Sequence, residues 1–183
     1  MLQTLLEYKR WSNRELFELM HSAGRPDLGT VWHTAIRLLN HIHVVDRIFA
    51  GNLQRRPHGY TALNTPETPR LADLWARQSE VDAWFLDFVG SQSPQQLDEP
   101  IVFVFVDGKP GRMSGAEMLA HVITHGSYHR GAVGRIIGTS GVDPPREILT
   151  RFLHPDLHVP APAQRDAAPA AFSPVNPPPS TPL

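Results

Sequence analysis

Apolar residues recur at three- and four-residue steps through most of the chain, the spacing that lines one face of an α-helix. Leu2, Leu5, Leu6, Trp11, Leu16, Phe17 and Met20 predict a first helix over residues 2–22, ended by Gly24 and Pro26. Val31, Ala35, Leu38, Ile42, Val45 and Phe49 predict a second, starting between Asp27 and Thr30 and running to Leu53. A loop rich in Pro, Gly, Asn and Thr follows, from Arg55 to Pro66. The third helix starts near Thr68 and carries Leu71, Leu74, Trp75, Val81, Trp84, Phe85 and Phe88 to Gly90. The pattern then changes period. Ile101 to Val106 reads as a strand, Asp107-Gly108 as a hairpin turn, and Lys109 to Met113 as the partner strand. Ser114 with Glu117 three residues on forms a capping box that opens a fourth long helix through Ile137, stopped at Gly138 or Gly141. A short fifth helix spans Pro145 to Leu153. Four long helices with one inserted hairpin predict an all-α fold, a helical bundle, without internal repeats.

Nine of the eighteen prolines fall in the last thirty residues, where little apolar surface accompanies them. Proline removes helix donors and clashes with the preceding turn, so residues 154–183 read as a Pro/Ala-rich flexible tail with polyproline II character. The bundle domain is accordingly 1–153.

Charge adds mainly exclusions. Lys plus Arg is 17 and Asp plus Glu is 18 over 183 residues, a net charge of −1. Nucleic-acid binders usually carry a basic face, so this balance predicts no nucleic-acid partner. The chain has no cysteine, which removes disulfides, thiolate metal sites and a cysteine nucleophile. No apolar stretch approaches the ~20 residues of a membrane span, and the N-terminus lacks a signal layout. The expected location is cytoplasmic. Ten histidines are the unusual feature.

Three of them, His121, His125 and His129, stand four residues apart on the fourth helix. Four steps of ~100° bring neighbours onto one face, and two imidazoles at i and i+4 can grip one metal ion. His121 and His129 are ~12 Å apart along the axis, so an adjacent pair must do the gripping. Gly126 and Gly131 beside them each cost a helix ~1 kcal/mol relative to alanine, which points to something closely packed there. A third ligand must come from another helix, and His33, His41 and His43 on the second are the candidates. His43 lies within the apolar arc with Ile36 and Leu39, and His41 at its edge between Val45 and Ile48; spacing leaves the choice open. A di-iron carboxylate site needs two E-x-x-H helices and two further glutamates, and only Glu18-Leu-Met-His21 has that spacing.

The segments LLEYKRWSNREL, LLNHIHVVDRIFAGNL and LAHVITHGSYHRGAVGRII occur in an order and spacing that resembles the DinB (DinB/YfiT-like) family, over residues 2–153. The resemblance implies an up-down-down-up four-helix bundle, a homodimer, and a divalent metal held by one histidine of the second helix and two of the fourth. Carried onto this chain, the L-N-H-I segment implies His41 as the first ligand, and H-x-x-x-H-R-G implies His125 and His129. His121 then falls outside the ligand set, and Arg130 follows the last ligand as the family pattern has it. Ala132 departs from that pattern, which usually has glutamine there. The family's name refers to damage induction, so a stress-response role is implied as well.

Three neutral nitrogen ligands leave a divalent ion with open positions, the catalytic rather than the structural arrangement. Imidazole suits zinc, nickel, iron and copper, with zinc and nickel foremost here and iron next. Relatives of the family include transferases and isomerases that use low-molecular-weight thiols. The resemblance therefore implies attack by an external thiol on a small electrophilic substrate. Tyr8, Trp11 and Tyr128 are candidates to line the pocket, and Asp46 and Glu117 to act beside the metal. A metal-dependent hydrolase and a non-catalytic metal-binding protein are the alternatives.

Overall fold

A computed structural model describes residues 1–23 and 29–157. Helices α1 (Leu2–Ala23), α2 (Gly29–Leu53) and α3 (Leu71–Ser91) are followed by a short helix α4 (Pro94–Asp98), strands β1 (Pro100–Val104) and β2 (Pro110–Ser114), the long helix α5 (Gly115–Gly138) and a final turn of helix α6 (Leu149–Leu153). The all-α bundle with its inserted hairpin is as the periodicity predicts.

The packing gives the topology. One apolar cluster joins Leu6 near the start of α1, Val45 and Phe49 late in α2, Val81 and Phe85 late in α3, and Met118 and Val122 early in α5. The other joins Leu16 and Met20 late in α1, Trp32 and Leu39 early in α2, Leu74 early in α3, and Val133 and Ile137 late in α5. α1 and α5 therefore run one way and α2 and α3 the other, an up-down-down-up bundle. The loop between α2 and α3 is long because it returns the chain to the end where α2 began. α2 packs on α5 and α3, and α1 on the same two, so α1 and α2 lie diagonally opposed.

A layer of polar side chains separates the two clusters. Lys9 donates to Asp46 and Asp82 at 2.6 Å each, Asn13 Nδ2 to Asp82 at 2.7 Å, and Gln78 Nε2 to Asp46 at 2.8 Å. Arg130 Nη1 joins it by donating to Asn13 Oδ1 at 2.9 Å. These side chains belong to all four long helices.

Local chemistry explains the boundaries. Ser114 and Glu117 form the expected capping box at the start of α5. The hairpin turn falls at Asp107-Gly108, with Gly108 at φ +85°. Registered pairs such as Ile101 with Met113 and Phe103 with Gly111 follow. A Cβ at position 111 would come within 2.6 Å of the Phe103 ring, so only glycine lets that ring cross the partner strand.

Three expectations need correction, and one short helix is new. α3 begins at Leu71 rather than Thr68, because Arg70 is extended at its N-cap and Pro69 disfavours helix at the residue before it. β1 ends at Val104, since Phe105 already enters the turn and donates to the Lys109 carbonyl at 2.8 Å. α4 was not foreseen; Ser93 and Gln96 make a second capping box with Pro94 at its first turn. α6 starts at Leu149 instead of Pro145, because Pro144, Pro145 and the tie of Glu147 to Arg130 keep the preceding stretch extended. The tail expectation falls almost wholly outside the described residues, as do Gly24 and Pro26, and of the tail only the 3-10 turn Pro155–Leu157 is seen.

Candidate metal centre

α5 carries His121, His125 and His129 in a row, and α2 brings His41 against the second and third. The His41 ring centroid lies 4.9 Å from that of His125 and 4.7 Å from that of His129; the latter two are 4.5 Å apart. Nε2 of His41 and Nε2 of His125 approach to 3.1 Å. One ring nitrogen from each of the three lies within 4.8 Å of the others.

The remaining histidines are placed elsewhere. His121 stacks between His125 and Phe49, 5.4 Å and 4.5 Å away. His33 pairs with the Thr68 hydroxyl at 2.8 Å. His43 is buried on the other side of α2, and burial, with Arg77 and Arg47 adding, pushes its pKa down to about 4. Two residues along a helix rotate a side chain by ~200°, so His41 and His43 cannot face the same neighbour.

The loop between α2 and α3 sets the orientation of His41. The Leu63 carbonyl accepts from Nδ1 at 2.7 Å, which puts the hydrogen on Nδ1 and leaves the Nε2 lone pair directed at the cluster. The same loop is clamped along α2. Asn40 donates to the Asn64 and Thr65 side chains, Asn64 Nδ2 to the Arg37 carbonyl at 3.0 Å, and Arg37 Nη1 to the Thr65 carbonyl at 2.5 Å and the Glu67 carbonyl at 3.1 Å.

Electrostatics favour the neutral form of the three α5 histidines. Burial lowers His125 to about 3, and the neighbouring imidazoles and Lys9 push the same way. His129 is lowered by burial and by His41, and His121 by burial. Neutral imidazole is the form that ligates a metal. Nitrogens around one zinc at ~2.0–2.1 Å stand a little over 3 Å apart, close to the His41–His125 separation. His125 Nε2 is the nitrogen turned to His41 and the cluster, while its Nδ1 is buried without a partner among the described residues. The three residues fit a divalent ion.

The other candidates sit around the cluster or away from it. Tyr128 is 76% exposed and meets the His129 ring edge-on at 5.0 Å. Arg130 turns inward, making a two-pronged pair with Glu147 at 2.6 and 2.9 Å. Asp46 is engaged by Lys9 and Gln78 in the polar layer, and Glu117 by its cap. Tyr8 stacks on Trp11 at 5.9 Å beside Phe152, and burial raises its pKa, with Glu147 adding. Trp11 and Arg130 border a cleft of about 750 Å³ lined by α1, α5 and the segment after α5.

Comparison with known proteins gives the family. The sequence model of the DinB family matches residues 1–165. The chain belongs to the DinB family. Protein DinB of Bacillus subtilis (strain 168) is 25% identical over 150 residues, an alignment covering 75% of this chain and 84% of the relative. No solved structure matches. The DinB resemblance read from the three sequence segments is thus confirmed, and a three-histidine group able to hold a metal stands in this DinB bundle.

Sequence reasoning missed Lys9, Asn13, Gln78 and Asp82, and the loop clamp of Arg37, Asn40 and Asn64. A signal existed for the first pair. Leu2, Leu6, Lys9, Asn13, Leu16 and Met20 form an unbroken three–four stripe, so a lysine and an asparagine occupy the core seam of α1. Nothing in the loop's composition pointed to its clamp.

Proposed function

We propose that this protein is a divalent-metal enzyme in which an external low-molecular-weight thiol attacks a small electrophile at His41, His125 and His129. The observation that carries the reading is an all-nitrogen trio of converging imidazoles, with His41 on the wall of an open cleft of about 620 Å³. A divalent ion held by three nitrogens supplies Lewis acidity and favours the thiolate form of an added thiol. The protein's own contribution is orientation. Leu63 fixes the lone pair of His41, burial keeps His125 unprotonated, and the exposed Tyr128 ring flanks His129. In the reaction the thiol proton passes to solvent, a carbon–sulfur bond forms, and the leaving group departs with its bonding pair. The thiol comes from outside because the chain has no cysteine.

Hydrolysis through a carboxylate general base is the less supported alternative. Asp46 and Glu117, the two considered for that role, are bound to other partners.

Elemental mass spectrometry on untagged wild type and His125→Ala tests the centre. About one ion per chain in the wild type, with zinc or nickel ahead of iron, and a loss of at least tenfold in the variant are expected. Thiol conjugation to a model electrophile by the metal-loaded wild type then tests the reaction. A metal-loaded protein without that activity would leave a binding protein, and metal-supplemented wild type holding none would overturn the centre itself.

A further inference from the structure

We infer that Arg37 makes the histidine centre selective for small molecules that carry a carboxylate, so that its thiol is an acidic one. The inference rests on the thiol reading above. Arg37 lies one helical turn before His41 on α2, and both line the same cleft. The other residues of that wall, including Tyr60, Thr61, Ala62, Leu63 and Asn64, carry no formal charge, so Arg37 gives the cleft its sign.

Its hydrogen bonding leaves the relevant edge open. Both bonds it makes come from Nη1 and go to backbone carbonyls, Thr65 at 2.5 Å and Glu67 at 3.1 Å. Nε and Nη2 donate to nothing among the described residues, and that Nε/Nη2 edge is the fork that takes a carboxylate with two parallel bonds. No carboxylate pairs with it among the described residues, in contrast to Arg70 with Asp73, Arg130 with Glu147 and Arg151 with Glu15. A cation held on one edge by a loop, partly buried beside a metal ligand and free on its other edge, is preorganised for an anion, and preorganisation lowers the ordering cost of binding. An arginine serving only to clasp the loop would discriminate nothing in the cleft.

Cobalt(II)-loaded protein gives a readout that needs no turnover. 3-Mercaptopropionate, which carries a carboxylate, and 2-mercaptoethanol, which carries a neutral hydroxyl, are titrated and followed by the visible spectrum of the ion in wild type, Arg37→Gln and Arg37→Lys. Succinate and propionate are titrated in parallel. The expected result is about a tenfold loss of 3-mercaptopropionate affinity in Arg37→Gln. Arg37→Lys should lose less, and 2-mercaptoethanol and the cobalt content should stay within about twofold in both variants. An equal loss for both thiols, or a fall in cobalt content, would show that Arg37 only braces the loop and overturn the inference, as would unchanged affinity for both. If neither thiol perturbs the spectrum, the thiol reading fails, and the dicarboxylate decides separately. An Arg37-dependent preference for succinate over propionate keeps the carboxylate selectivity, and its absence ends it.

Discussion

His43 shows how one residue's surroundings become a property of the whole protein. It is 5% exposed, and burial sets its pKa at about 4, below the ~6.5 of an unfolded chain. As the pH falls, the unfolded state takes up this proton first. The residue's contribution is therefore complete above ~6.5 and is lost progressively down to about 4, up to about 3 kcal/mol in all. Urea unfolding of chelator-treated protein at pH 7, 5.5 and 4.5 should show that decline, and His43→Gln should reduce its slope without abolishing it, because His125, lowered to about 3, adds to the same window. A variant with an undiminished slope would place the effect on other groups. His41, two positions earlier, faces α5 instead and is aimed by a loop carbonyl. The α2 pattern put His43 in the apolar arc and His41 at its edge, as found, but which edge meets α5 depends on how the helices dock.

At the level of elements, α5 separates two glycines that look alike in sequence. A Cβ on Gly126 would stand 2.8 Å from Arg130 Nη1 and 3.5 Å from the Lys9 stem, while one on Gly131 would meet nothing within 4 Å. The close packing expected of both holds at 126 alone. Gly131→Ala should raise stability by about 1 kcal/mol, the ordinary helix gain. Gly126→Ala should forfeit that gain and lower stability by about 1 kcal/mol, because Arg130 is pinned by Asn13 and Glu147 and cannot move aside freely. Thermal unfolding of the two variants side by side checks the contrast; equal shifts would contradict it. Capping boxes at both α4 and α5 were written in the chain as S-x-x-Q and S-x-x-E. Only the second was recognised, because a single-turn helix carries no periodicity to draw attention to its cap.

Across the whole molecule, the polar layer ties the four long helices between two apolar cores. Burial alone would lower the Lys9 ammonium, but Asp46 and Asp82 outweigh it and hold its pKa above the ordinary lysine value. Removing a buried partner strands the opposing charges, which typically costs about 3–5 kcal/mol. Lys9→Met should lose that much by urea midpoint, and adding Asp46→Asn and Asp82→Asn should recover part of it. A Lys9→Met protein as stable as wild type would mean that the layer is not ion-paired. A layer of this kind also fixes register, since each helix can satisfy its polar group at one height only. Among the described residues no helix is long and apolar enough to cross a membrane, in line with the composition.

The sequence by itself determined the four long helices, the hairpin turn, the α5 cap, the lack of any cysteine thiol and the histidine row. Each follows from periodicity, local turn chemistry or residue type, which act over a few positions. The resemblance of its segments to the DinB family implied His41 as the partner of that row. Tertiary structure alone decided what depends on partners distant in the chain: Leu63 setting the His41 tautomer, Asp46 turning to Lys9, Arg130 turning to Glu147, and Arg37 keeping one edge free. Long polar side chains have several rotamers of similar energy on an isolated helix. Which one is occupied is set by the donors and acceptors that a neighbouring element brings within ~3 Å, and a linear pattern does not contain those neighbours.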